Sequence, residues 1–165
     1  MKKRFALPES LKNTKVGHNI DFHSGLMFYR RCQCQYMVVI LFVCTGNAAR
    51  SQMAEGLLRN QKPEFTVLSA GTKPEGVSKK AVKVMEELNL DISNHTSNHL
   101  DEVDWKSADV AITLCGSANE SCVSMPWPEK CKRVHWPIDD PVTLEEYRKA
   151  RDEIKERIEA FLTNI

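Results

Sequence analysis

Six consecutive apolar residues, Val38-Val39-Ile40-Leu41-Phe42-Val43, interrupt a chain whose other apolar groups are shorter or spaced apart. An apolar run rich in β-branched residues, without polar alternation, predicts a strand buried on both faces. Phe65–Ser69 reads as a second strand ended by Ala70-Gly71, Asp109–Leu114 as a third, and Arg133–Trp136 as a short fourth. Between these runs the period lengthens. From Ser51 onward, Met53, Ala54, Leu57 and Leu58 share one helical face. Ala81, Val82, Val84, Met85 and Leu88 recur at helical spacing behind Ser78, a residue able to cap a helix start. Thr143 to about Leu162 predicts a charged amphipathic helix whose apolar side carries Tyr147, Ile154, Ile158, Phe161 and Leu162. Repetition of strand, loop and helix predicts an α/β fold, a four-stranded parallel sheet flanked by helices on both faces. No internal repeat or low-complexity tract appears.

The first 36 residues follow neither period. They carry seven basic and two acidic residues, a net of +5, whereas residues 37–165 carry 16 basic and 20 acidic ones, a net of −4. The break at Met37 suggests a basic, poorly ordered extension (1–36) before one domain (37–165); a start of translation at Met37 itself and, with less support, a basic transit peptide are the other readings. The extension lacks the apolar stretch of about 7–15 residues that marks a secretory signal. Composition narrows the classes further. A 42% apolar fraction supplies a core and argues against global disorder. No run approaches the ~18 apolar residues of a membrane-spanning helix. A net charge of +1 gives no reason to expect nucleic-acid binding. The expected setting is a reducing cytoplasm, where six cysteines serve chemistry more often than cross-linking.

In open parallel sheets ligands bind beyond the carboxyl ends of the strands. Cys44 and Cys115 stand at two such ends. A cysteine there is ordinarily a small buried hydrophobe. The segment Cys44-Thr45-Gly46-Asn47-Ala48-Ala49-Arg50-Ser51 changes that reading, because it lies between a buried strand and a helix start. A loop curling there turns several backbone N–H groups onto one centre, and the helix start adds about half a positive charge. Arg50 supplies a planar fork for two oxygens of a tetrahedral anion. Cys44 at the floor of this cradle becomes a nucleophile facing a phosphate-like oxyanion, since all three effects favour negative charge on its sulfur. Gly46 permits close backbone approach, and Ser51 can hydrogen-bond the sulfur. Asp139-Asp140-Pro141 follows the fourth strand, and the aspartate before the proline is held extended, where it can protonate a leaving oxygen.

The loop CTGNAARSQMAEG and the late DDP resemble the low-molecular-weight tyrosine phosphatase family, most closely its thioredoxin-coupled arsenate reductase branch. The likeness runs from about Met37 to the C-terminus through SAG (69–71), DISNHTS (91–97) and TLC (113–115), and leaves out residues 1–36. It implies the low-molecular-weight phosphatase fold, with Cys44 as nucleophile and Asp140 as acid. Thr45, Gly46, Asn47, Ala48, Ala49 and Arg50 would bind the oxyanion, and Ser51 would tune the thiolate. Cys115 and Cys122 match the two resolving cysteines of that branch in position and spacing. The implied activity is reduction of arsenate to arsenite by a cysteine relay, with no tightly bound cofactor and thioredoxin as external electron donor. Some residual phosphatase activity is expected too. Three departures stand out. The position before the arginine, often a second cysteine, is Ala49. The potassium site of some members would map to Asn47, Glu55 and Ser69, but one of its aspartates is Asn98, and loss of a carboxylate weakens a hard-cation site. Cys131 is additional and reads as an idle thiol. Two other classes remain. One is a phosphotyrosine phosphatase, although Val142-Thr143 follow the Asp-Pro pair where such enzymes carry tyrosines. The other is a zinc module using Cys115, Cys122 and Cys131, whose spacings are poor for that metal.

Overall fold

The computed structural model describes residues 37–123 and 125–164, with the side chains of 122 and 123 outside the description. The expected extension, 1–36, lies outside the described residues. The rest is the α/β architecture the pattern predicts. Four strands, β1 (Val39–Cys44), β2 (Thr66–Gly71), β3 (Val110–Thr113) and β4 (Lys132–His135), pair in the order β2-β1-β3-β4, all parallel. Helices α1 (Arg50–Gln61), α2 (Lys79–Glu86), α3 (Gly116–Val123) and α4 (Leu144–Leu162) surround the sheet.

β1 is central, and Ile40, Leu41, Phe42 and Val43 are wholly buried, which is why its sequence does not alternate. Each such side chain contributes about 1.5–3 kcal/mol of apolar burial. β2 lies to one side of β1 and β4 beyond β3 on the other. Right-handed crossovers therefore put α1 and α3 on opposite faces. α1 packs against α4, which also meets α2. Phe42, Trp136 and Phe161 pin α4 to the sheet through ring contacts of 6.1 Å at each step. The chain leaves β1 and β3 in opposite directions, so a crevice opens beyond Cys44 and Cys115.

Several expected boundaries move. β1 includes Cys44, which pairs with Gly71, so Ala70-Gly71 belongs to β2 rather than ending it. A Cβ on Gly71 would stand 2.7 Å from the Thr45 carbonyl and 2.8 Å from the Asn47 amide, so only glycine lets β2 approach the loop. β4 ends at His135, and Trp136 follows outside it, though its amide still donates to the Thr113 carbonyl (2.9 Å). β3 is shorter at both ends than Asp109–Leu114. α1 begins at Arg50, one residue early. α2 stops at Glu86, short of Leu88, and Ser78 makes no side-chain cap; its hydroxyl meets Tyr147 Oη (3.0 Å) instead. Thr143 does cap α4, in a reciprocal box with Glu146.

Candidate functional site

The loop from Cys44 to Arg50 is shaped by where its carbonyls go. Those of Cys44, Thr45, Gly46 and Ala48 accept from the amides of Thr72 (3.3 Å), Lys73 (2.8 Å), Glu75 (2.9 Å) and Ser78 (2.8 Å). All four donors lie in the segment between β2 and α2. Gln52 Nε2 donates to the Asn47 carbonyl (3.1 Å), and the Met53 amide donates to that of Ala49 (2.9 Å). In a planar trans peptide the N–H points opposite to the C=O. Engaging these carbonyls outside the loop therefore turns the amides of residues 45–50 towards its interior. Ala49 precedes α1 with no side-chain cap, leaving the helix start open to an anion.

Cys44 is 2% exposed at the end of β1, and its Sγ lies 2.9 Å from Ser51 Oγ. The neighbouring bonds orient that contact. Asn47 sits in the left-handed region at φ 43 and is fully buried. Its Nδ2 donates to Ser51 Oγ and to Ser69 Oγ, both at 2.8 Å. With an acceptor site of Ser51 so occupied, its hydroxyl hydrogen is free for the sulfur. Asn47 Oδ1 accepts from Gln52 Nε2 (3.1 Å) and the Asn98 amide (2.8 Å). Gln52 Nε2 also reaches the Thr96 carbonyl (2.9 Å), which leaves Gln52 Oε1 as the acceptor facing His95 Nδ1 at 3.0 Å. Burial pushes the His95 imidazole below its ordinary value against a smaller opposing pull from Glu55. Sequence reading missed Gln52 and His95; a polar residue on a helix carries no local signal that it is buried beneath a loop.

Arg50, 8% exposed, donates from Nη1 to the Ile138 carbonyl (3.0 Å) and pairs through Nη2 with Asp140 Oδ1 (2.8 Å). This brings the Asp-Pro segment to the loop, as expected for that sheet edge; the Asp140 side chain remains 78% exposed. Cys115, just past β3, sets its Sγ 3.2 Å from Thr45 Oγ1, so a second thiol borders the loop. Cys122 lies in the last turn of α3, and its side chain falls outside the described residues. Cys131 precedes β4, at the opposite edge of the sheet, and burial pushes its thiol up. At about 3.3 Å per strand residue, Cys131 and Cys115 stand some 15–20 Å apart, too far to share a zinc ion. Among the described residues no group of three or more His, Cys, Asp or Glu side chains could hold a metal. The potassium positions fit a cation poorly. Arg59 Nη2 already pairs with Glu55 (2.6 Å), and Asn47 turns its Nδ2 towards Ser69. Among the described residues no helix is long and apolar enough to cross a membrane.

This arrangement can hold a tetrahedral oxyanion over a buried sulfur nucleophile, with a carboxyl group and a second thiol nearby. Known proteins resemble the chain as a whole. Residues 39–165 match the family described as low molecular weight phosphotyrosine protein phosphatase. "Arsenate reductase 2" of Staphylococcus saprophyticus is 43% identical over 128 residues, covering 76% of this chain and 96% of that protein. The structure of "an arsenate reductase in the phosphate binding state" is 32% identical with a TM-score of 0.66, covering 78% of this chain and 99% of its own. A low molecular weight protein tyrosine phosphatase from T. tengcongensis is 31% identical with a TM-score of 0.69, again over 78% of this chain and 99% of its own.

Proposed function

The chain belongs to the low molecular weight phosphotyrosine protein phosphatase family, and from that membership we propose that it reduces arsenate to arsenite through Cys44, Cys115 and Cys122. The observation that carries this reading is the second thiol beside the loop, Cys115 Sγ at 3.2 Å from Thr45 Oγ1. Phosphoryl transfer needs one cysteine, because a phosphocysteine is hydrolysed without redox change. Reducing arsenic needs two electrons, which two thiols supply on becoming a disulfide.

Arsenate has the shape and charge of phosphate, so amides 45–50 and Arg50 bind it by the same donors. The Cys44 thiolate attacks arsenic(V), and a hydroxyl group leaves as water with a proton from Asp140. Cys115 then attacks the Cys44 sulfur. The As–S electron pair goes to arsenic, arsenite departs, and a Cys44–Cys115 disulfide remains. Cys122 attacks Cys115, releasing Cys44 as thiolate and leaving Cys115–Cys122. An external dithiol protein of the thioredoxin type reduces that last bond in a cytoplasmic setting. Cys131 and potassium have no part in the scheme.

Arsenate-dependent NADPH oxidation in the presence of thioredoxin and its reductase tests this directly. One NADPH is expected per arsenate, with Cys122→Ser releasing arsenite once and stalling with Cys44–Cys115 intact. Turnover of para-nitrophenyl phosphate without any arsenate-dependent NADPH loss would assign the chain to the phosphatases instead.

A further inference from the structure

The relay sets α3 a geometric problem. Cys115 immediately precedes α3, and Cys122 lies in its last turn. Seven helical steps span roughly 10 Å, whereas a disulfide needs Cα atoms within about 7 Å. The helix must open for the two sulfurs to meet, so whatever holds α3 shut controls that step.

Little holds it. Its eight residues fall short of the ~12–15 that a helix needs to persist alone in water, so its order comes from contacts with the sheet. Among residues 116–121, Ala118 is the one buried side chain. The next residue makes a polar tie. Thr113 Oγ1 donates to Asn119 Oδ1 (3.2 Å) and lies 2.9 Å from His135 Nδ1, which is itself 3.2 Å from the Thr113 carbonyl. The Thr113 hydroxyl has one hydrogen. With Nδ1 of His135 protonated, the imidazole supplies its own donor, and of the two acceptors left for that hydrogen Asn119 Oδ1 is nearer than the Val134 carbonyl at 3.4 Å. Thr113 and His135 are register partners on β3 and β4. The tie thus bolts the middle of α3 to two strands at once. Beside it runs a cleft of about 450 Å³ lined by Thr113, Asn119, Trp127, Cys131 and His135, among others, which gives the released segment room to move.

We propose that Asn119, through Thr113 and His135, is a latch that keeps α3 helical in the reduced protein and sets how readily the Cys115–Cys122 disulfide forms. It is a positioning residue, since it touches no reacting atom. The inference rests on the relay reading of Cys115 and Cys122. In the step it governs, the Cys44–Cys115 bond breaks, Cys115–Cys122 forms, Cys44 leaves as thiolate and Cys122 gives up its proton to solvent.

The test removes the tie from either end. Asn119→Ala deletes the acceptor, and Thr113→Val keeps the β-branched shape of a strand residue while deleting the hydroxyl. Amide hydrogen exchange on the reduced full-length protein should quicken for residues 117–122 by roughly three- to tenfold in both variants, the weight of one net hydrogen bond. Exchange in β1 and α4 should not change. In a Cys44→Ser background, equilibration with glutathione should shift Cys115–Cys122 towards the disulfide by a similar factor. Unchanged exchange at 117–122 in both variants overturns the latch, and so does faster exchange with no shift in the disulfide equilibrium. If both shifts occur but the otherwise unmodified protein releases no arsenite from arsenate, the latch stands and the arsenate reading fails.

Discussion

Ser51 is where the local chemistry of Cys44 can be tested. Asn47 Nδ2 feeds Ser51 Oγ at 2.8 Å, and Ser51 Oγ faces the sulfur at 2.9 Å. A hydrogen bond to a charged acceptor is worth about 1.5–3 kcal/mol. Part of that loss is regained, because a sulfur relieved of a hydrogen bond is a stronger nucleophile. Ser51→Ala should therefore slow alkylation of Cys44 by iodoacetamide at neutral pH by about three- to tenfold. Inorganic phosphate should protect Cys44 in the unmodified protein. Cys131, buried with its thiol pushed up, should react far more slowly than Cys44. Residue-resolved mass spectrometry reads all three rates. Equal rates at Cys44 and Cys131, with no protection by phosphate, would remove the anion cradle from the account.

At the scale of an element, α4 depends on its first turn. Thr143 Oγ1 accepts from the Glu146 amide (3.3 Å), while Glu146 Oε2 accepts from the amides of Thr143 (2.8 Å) and Val142 (2.7 Å). The Thr143 amide, followed by that of Val142, holds the Glu146 carboxyl below its ordinary value of 4.5. A carboxyl lowered by folding binds fewer protons folded than unfolded. Its contribution is complete above pH 4.5 and is lost as the pH falls through the lowered value. Glu146→Gln should flatten the acid limb of the stability curve below pH 4.5 in urea titrations. Thr143→Ala should cost about 1 kcal/mol at pH 7. An acid limb unaltered by Glu146→Gln would mean that other carboxylates set it.

For the whole molecule, the ties between β1 and its neighbours begin at Val38 and Val39. The Val38 carbonyl accepts from the Thr66 amide (2.9 Å), and the Val39 amide donates to Asp109 Oδ2 (3.0 Å). The family match likewise begins at residue 39. A chain starting at Met37 should fold cooperatively and keep arsenate-dependent turnover within about twofold of the full chain. An insoluble or non-cooperative product would show that residues 1–36 complete the core.

The strands, the order of elements and the loop between β1 and α1 were legible in the sequence because they rest on local signals. An unbroken apolar run reports burial on two faces, and Cys44 through Ser51 sits where a strand meets a helix. Asp140 was legible through the proline that follows it. Element ends were less so. Gly71 reads as a terminator until β2 is seen pressing against the Thr45 carbonyl, and Ser78 reads as a cap until Tyr147 takes its hydroxyl. Gln52 and His95 could not be found, because their partners lie 5 and 43 residues away, across a turn that only the packed fold creates. The tie among Thr113, Asn119 and His135 is of the same kind, since it depends on β3 and β4 lying side by side. Sequence by itself determined the four strands, three of the four helices and the place of Cys44 at the end of β1, whereas α3 (Gly116–Val123), short and without an apolar period, was not among the predicted elements. Tertiary structure decided which polar groups share a hydrogen, because that depends on distances between segments that no local pattern encodes.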